Sequence, residues 1–98
     1  YIPMDEALAF ASLDISGRPF LDFKAEFSDD KIGDFDTCLA EEFFRAFAFN
    51  AGITLHINLM YGNNDHHKCE AIFKAVAHAL KSATSVIGDE VLSTKGVL

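Results

Sequence analysis

Strands are predicted where apolar and polar residues alternate, because successive side chains of a strand point to opposite faces of a sheet. This pattern covers residues 20–27 and residues 53–60, and in the second segment His56 falls on the polar face. A further strand is predicted over residues 6–14, and Gly17 in the segment that follows is a natural turn residue. We therefore expect the strands at 6–14 and 20–27 to pair as a hairpin.

A first helix is predicted over residues 37–50, where apolar residues recur at steps of three and four. Asp36 is a suitable N-cap residue, and Gly52 supplies a C-terminal stop. The spacing predicts that one stripe of this helix faces the core: Leu39, Phe43, Ala46, Phe47 and Asn50.

A second helix is predicted over residues 66–84, with Asp65 as its N-cap. Its predicted apolar stripe consists of Cys69, Ile72, Phe73, Val76 and Leu80. The opposite row consists of His66, Glu70, Lys74 and His78. Residues 85–98 show no periodicity and are predicted to be loop or tail.

The predicted order of elements is β-β-α-β-α, which indicates an α/β fold of the α+β kind. We expect a two-layer sandwich in which both helices pack on one face of the sheet. The chain has 98 residues, half of them apolar, and is expected to form a single domain over residues 1–98.

The net charge is −7, which argues against nucleic acid or an anionic membrane surface as a partner. No apolar run approaches the roughly 20 residues of a membrane span, and no signal peptide is visible. The two cysteines do not make a disulfide framework. These features favour a globular protein of the cytoplasm.

Candidate chemistry is concentrated at the start of the second predicted helix. His66 and Glu70 are four residues apart and therefore lie on one face, where an imidazole nitrogen and a carboxylate oxygen can close on one metal ion. His67 lies about 100° round the helix, so its ring serves either a second metal or a substrate. Such donors suit Mn, Fe or Zn better than Mg or Ca. Taken alone, the pattern is equally compatible with a solvated helix face.

The full stretch of residues 62–74 is more specific, since it reads Gly-Asn-Asn-Asp-His-His-Lys-Cys-Glu-Ala-Ile-Phe-Lys. It resembles a signature of the imidazoleglycerol-phosphate dehydratase family. Other segments of the chain resemble that family in the same order: residues 3–8, 14–19, 41–44, 54–56 and 93–96.

The resemblance implies a manganese-dependent lyase of histidine biosynthesis, which dehydrates imidazole glycerol phosphate to imidazole acetol phosphate. It implies two Mn²⁺ sites per complete active unit. The metal ligands implied are His56, His66, His67 and Glu70, of which Glu70, His66 and His67 are also the implied catalytic residues. The chemistry moves a proton, for which Glu70 is one candidate and Glu6 another.

The substrate implied is a small phosphate ester, and the resemblance assigns four residues to its phosphate: Arg18, Lys74, Ser93 and Lys95. Arginine offers a bidentate fork and lysine a point charge for such a group. Lys74 is also placed to be a simple helical partner of Glu70. Two departures from the family pattern are Phe10, where arginine is common, and Leu92, where proline is usual.

Family members are roughly twice this length and consist of two similar halves, of which the chain resembles the second. The site is therefore expected to need a second copy of the chain or a complementary N-terminal half. In that arrangement, His66 and Glu70 of one copy would meet His56 and His67 of the other. The alternative is a non-catalytic half-domain that binds metal and assembles without turnover.

Overall fold

The computed structural model describes the backbone of residues 1–97 and the side chains of residues 1–85. Its elements are β1 (Ile2–Met4), β2 (Ala7–Asp14), β3 (Phe20–Lys24), β4 (Lys31–Ile32), β5 (Phe35–Asp36), α1 (Cys38–Ala51), β6 (Thr54–Tyr61) and α2 (Asp65–Val97). The predicted α+β sandwich is confirmed, with β1, β4 and β5 as short additions to the predicted order. Neither helix of the described residues has the uninterrupted apolar length that crossing a bilayer requires.

The main sheet has four strands in the order β1-β2-β6-β3. Strand β6 is central: it runs antiparallel to β2 and parallel to β3. The predicted hairpin between the strands at 6–14 and 20–27 is therefore wrong. A strand–helix–strand unit leaves its two strands parallel and adjacent, and here that unit is β3-α1-β6.

The segment between β2 and β3 crosses the start of β6 instead of closing a tight turn. The N–H of Gly17 donates to the carbonyl of Gly52 at 2.8 Å, and the hydroxyl of Thr54 donates to the carbonyl of Arg18 at 3.0 Å. These bonds hold Arg18 beside the first residue of β6.

The core lies between one face of the sheet and the two helices. Leu55 and Ile57 of β6 are fully buried there, and Phe44 of α1 and Ile72 of α2 pack in the same cluster. The alternation predicted for residues 53–60 is confirmed, because His56 on the opposite face is exposed. The open face of the sheet thus carries His56, away from the helices.

The buried stripe of α1 differs from the predicted one. Ala40, Phe44 and Ala48 are buried, whereas Leu39 and Phe43 are exposed, Phe43 by 53%. Apolar residues occur on nearly every side of this helix, so their spacing does not select one stripe. The small side chains at positions 40 and 48 let the helix backbone approach the sheet closely, with the Phe44 ring between them.

The ends of the helices also differ from prediction. Helix α1 has Thr37 rather than Asp36 in its N-cap position, and Asp36 belongs to β5 instead. The predicted stop at Gly52 is confirmed, since that residue adopts a left-handed conformation with φ 67°. Helix α2 continues through residues 85–97, which were predicted as loop; this segment has no proline, and its two glycines, Gly88 and Gly96, do not prevent a helix from continuing.

Candidate functional site

Helix α2 begins after a three-residue loop that follows β6, and its first turns carry the candidate ligands. The side-chain oxygen of Asn64 accepts the N–H of His67 at 3.1 Å, and the Asn64 carbonyl accepts the N–H of Lys68 at 2.9 Å. Asn64 is therefore the N-cap, and the prediction of Asp65 in that role is wrong. Capping fixes the backbone of the turn on which both histidines lie.

The row predicted along α2 brings His66, Glu70 and Lys74 together. His66 Nε2 lies 2.5 Å from Glu70 Oε1, and Lys74 Nζ lies 4.0 Å from Glu70 Oε2. All three side chains are substantially exposed, His66 by 62%. One imidazole nitrogen and one carboxylate oxygen thus face each other at the surface, with a cation on the far side of the carboxylate.

His67 has two acidic neighbours from the turn between β1 and β2. Its Nδ1 donates to Glu6 Oε1 at 2.5 Å, and its Nε2 lies 3.3 Å from Asp5 Oδ2. The other oxygen of Glu6 accepts the backbone N–H groups of Asn63 and Asn64 at 2.8 and 3.0 Å. Glu6 therefore fixes both the loop before α2 and the orientation of the His67 ring.

These contacts change the proton affinity of both partners. Hydrogen bonds from the N–H groups of Asn64 and Asn63, and then from the His67 ring, lower the pKa of Glu6 from 4.5 to about 2. The same bond to Glu6 raises the pKa of His67 above its ordinary 6.5, against partial burial, which would lower it. Glu6 is therefore a charged acceptor near neutral pH and a poor base.

A buried ion pair between Asp65 and Lys68 stabilises the same turn of α2. Lys68 is only 7% exposed, and its Nζ lies 3.2 Å from Asp65 Oδ1. Burial alone would raise the pKa of Asp65, but hydrogen bonds from the N–H groups of Ser28 and Asp29 and the Lys68 ammonium outweigh it and lower that pKa. The sequence does not reveal this pair, because the spacing of three residues between Asp65 and Lys68 is common on exposed helices and their burial depends on the tertiary fold.

His56 and Arg18 lie away from this cluster. His56 is on the open face of the sheet, where its Nδ1 is 3.8 Å from Asp22 Oδ2 and its ring is 5.5 Å from that of Phe20. Arg18 is held at the start of β6, whereas His66 follows the end of that strand. Eight strand residues at about 3.3 Å each separate the two ends. A single chain does not bring Arg18 to the histidine turn, which is the first turn of α2 and carries His66 and His67.

The donors of the described residues form pairs rather than a complete metal site. His66 with Glu70 is one pair, and His67 with Asp5 is another, its Nδ1 already being held by Glu6. No group of three or more histidine, cysteine, aspartate or glutamate side chains in the described part of the chain is arranged to hold a metal ion. Imidazole and carboxylate are suitable ligands for Mn²⁺, so the residues fit that metal as partial sites that need further donors.

An apolar cavity of about 380 Å³ lies next to the His66–Glu70 pair. The short hairpin of β4 and β5 forms one wall, and α2 forms the other. The lining residues are Ile32, Phe35, His66, Cys69, Glu70 and Phe73. The side chains of Ser93 and Lys95, two of the candidate phosphate binders, lie outside the described residues.

The fold and site together define an α+β domain with paired imidazole and carboxylate donors at the start of its last helix. The model of the imidazoleglycerol-phosphate dehydratase family matches residues 1–80. The chain belongs to the imidazoleglycerol-phosphate dehydratase family, as its sequence motifs predict.

Individual members of the family support the assignment. The imidazoleglycerol-phosphate dehydratase of Clostridium novyi is 58% identical over 102 residues, which cover 100% of this chain and 51% of that protein. The crystal structure of the Staphylococcus aureus enzyme is similar with a TM-score of 0.80 and 60% identity, covering 82% of this chain and 47% of that one. The Pyrococcus furiosus enzyme, in complex with (S)-C348, has a TM-score of 0.73 and 39% identity, covering 81% of this chain and 44% of that one. The chain thus spans about half the length of the relatives it matches.

Proposed function

We propose that this chain provides part of the active site of a manganese-dependent hydro-lyase that converts imidazole glycerol phosphate to imidazole acetol phosphate in histidine biosynthesis. The observation that carries the proposal is the His66–Glu70 pair, whose donor atoms lie 2.5 Å apart on the motif that resembles the family signature. Family membership of the chain supports the reaction type. The two free thiols, Cys38 and Cys69, are compatible with a cytoplasmic location.

His66 and Glu70 would hold one Mn²⁺, and His67 would hold the other through Nε2. A bound Mn²⁺ would act as a Lewis acid that withdraws electron density from the substrate. Glu6 would orient the His67 ring, because a ligating histidine is normally held by a carboxylate at its other nitrogen. Asp5 lies 3.3 Å from His67 Nε2 and is placed to add an oxygen donor there.

Glu70 is the better of the two candidate carboxylates for moving a proton. Its side chain is 42% exposed and contacts only other side chains, so it can change its partner during a reaction. Glu6 is held by two backbone N–H groups and the His67 ring, and its pKa of about 2 makes it a weak base. Lys74 beside Glu70 would bind the phosphate of the same substrate.

The complete site requires more than one chain. His56 and Arg18 would reach the substrate only from a second copy or from a complementary half, because both lie away from the histidine turn of their own chain. An exposed aromatic surface on the helix layer supports such an assembly. Phe43 and Phe73 are exposed by 53% and 37%, and their rings lie 5.4 Å apart.

A second function is favoured by the incomplete donor sets. Since the described residues form only pairs of donors, the chain by itself is suited to bind metal weakly and to assemble, without turnover. This non-catalytic module and the lyase share every contact of the histidine turn. They differ only in whether an assembled site acts on the phosphate ester.

The test measures Mn²⁺ content, native mass and dehydration on the purified chain. We expect metal-dependent assembly with about one Mn²⁺ per chain, lost in His66→Ala and Glu70→Gln. His78→Ala is the matched control, because His78 is an exposed histidine farther along the same helix. Turnover by the assembled chain supports the lyase, and binding without turnover supports the module. Failure of the wild-type chain to bind Mn²⁺ contradicts the module and an active site built from identical copies.

A further inference from the structure

The segment between β3 and β4 is held by both helices. From α2, Asp65 Oδ1 and Oδ2 accept the N–H groups of Ser28 and Asp29 at 2.9 and 2.8 Å. From the start of α1, the Thr37 hydroxyl donates to the carbonyl of Asp29 at 2.9 Å. Asp29 is thus bound through its N–H to one helix and through its carbonyl to the other.

Lys68, which is buried under the first turn of α2, also binds the segment before β4. Its buried ammonium pairs with Asp65 and donates to the carbonyl of Glu26 at 3.2 Å. Gly62 leaves room for the lysine stem, since a Cβ at that position would lie 3.0 Å from Lys68 Cγ and 2.9 Å from the Ala7 side chain. Burying a charged side chain costs free energy unless a partner of opposite charge and hydrogen bonds compensate for the lost water. Here the pair joins two segments distant in sequence.

The β4–β5 hairpin follows directly after the segment that Asp65 holds. Ile32 and Phe35 of this hairpin line the same cavity as His66 and Glu70. The cavity is therefore closed on one side by a hairpin that has only two residues in each strand. So small a hairpin is marginal by itself and depends on its anchors.

We propose that Asp65 and Lys68 are positioning residues: their buried ion pair fixes residues 26–29 to the first turn of α2 and so holds the β4–β5 hairpin as the apolar wall beside the His66–Glu70 pair. The pair thereby limits water on one side of that site. The inference rests on the proposed function only for the use of His66 and Glu70 as ligands.

The test compares the full wild-type chain with Asp65→Asn and with the double variant Asp65→Asn, Lys68→Met, which leaves no buried charge unpaired. We expect amide hydrogen exchange at Ser28 and Asp29 to accelerate about tenfold or more, because local opening no longer breaks the bonds to Asp65. The NMR signals of the Phe35 and His66 rings should shift at the same time. Glu41→Gln is the control, since it removes an exposed helical ion pair with Arg45.

A metal measurement separates positioning from general support of the fold. We expect Lys68→Met to weaken Mn²⁺ binding several-fold and Lys68→Arg, which keeps the cation, to restore it. The proposal is wrong if exchange at Ser28 and Asp29 accelerates while the Phe35 and His66 rings are unchanged, or if exchange does not change. It is also wrong if the double variant unfolds, because the pair then supports the whole fold. If the wild-type chain binds no Mn²⁺, identical copies do not build the proposed metal site, and the exchange and ring signals still decide the positioning role.

Discussion

At the scale of single residues, the contact between Glu6 and His67 shifts the pKa of both side chains. The two residues are 61 positions apart in sequence, and their side chains meet at 2.5 Å. The His66–Glu70 pair was predictable, because four residues on a helix define one face whatever the rest of the fold does. The Glu6–His67 contact was not, because it depends on how the β1–β2 turn lies against the start of α2.

The charge of Glu6 predicts a pH dependence of stability in the metal-free chain. Its pKa is lowered from 4.5 to about 2, so its contribution is present above about pH 4.5 and is lost as the pH falls towards 2. The raised pKa of His67 adds stability that is present below 6.5 and is lost as the pH rises through the folded-state pKa. Glu6→Gln should weaken the pH dependence of the free energy of unfolding in both ranges. Urea unfolding at a series of pH values, with a chelator present, measures this dependence.

The control for this prediction is Glu42→Gln, which alters an exposed acid on α1. We expect the control to keep the wild-type dependence of the unfolding free energy on pH. A Glu6→Gln chain that loses as much stability in acid as the wild-type chain would show that other carboxylates are responsible.

At the scale of elements, the two faces of α1 should respond differently to the same substitution. Phe44→Ala removes a ring that is only 1% exposed and should lower the free energy of unfolding by about 3–5 kcal/mol. Phe43→Ala removes the neighbouring ring, which is 53% exposed, and should cost about 1 kcal/mol or less. Urea unfolding of both variants checks the difference. A larger loss for Phe43→Ala than for Phe44→Ala would show that the helix packs through the face predicted from sequence.

The end of α1 offers a second prediction for this element. Gly52 has φ 67°, and a Cβ there would meet nothing closer than 3.6 Å, so the cost of a side chain is conformational rather than steric. Gly52→Ala should destabilise the chain by about 1–2 kcal/mol. Gly52→Asn should cost less, since asparagine adopts this conformation more readily. Thermal unfolding of the two variants checks the order, and equal costs would contradict it.

The sequence predicts where the longer helices and strands lie better than it predicts which strands pair with each other. Alternation placed β3 and β6 correctly because it reflects one buried face. The predicted pairing of β2 with β3 is wrong because the sequence separation of two strands does not reveal which strand lies between them. The candidate site shows the same difference. The contacts among His66, Glu70 and Lys74 follow from one helix and were predictable, whereas Asp65 binds a segment more than 30 residues away.

At the scale of the whole molecule, the exposed rings of the helix layer predict how copies associate. Phe43→Glu introduces a charge at the centre of this aromatic surface and should lower the native mass of any oligomer. Tyr1→Glu is a matched control, because Tyr1 is 72% exposed beside strand β1 of the sheet rather than on the helices. Sedimentation of both variants, with and without Mn²⁺, tests the proposal. Dissociation by the control alone would assign association to the sheet.

The central place of β6 has a consequence for the order in which the protein is made. During synthesis, β2 and β3 leave the ribosome well before β6, yet β6 is the strand that joins them. Until residue 61 has emerged, the edges of β2 and β3 that β6 later pairs are both open, and other chains can add along them. A nascent chain that stops at residue 52 should therefore be captured by chaperones or aggregate. The half-made protein therefore depends on protection of the two strand edges that β6 covers in the finished sheet.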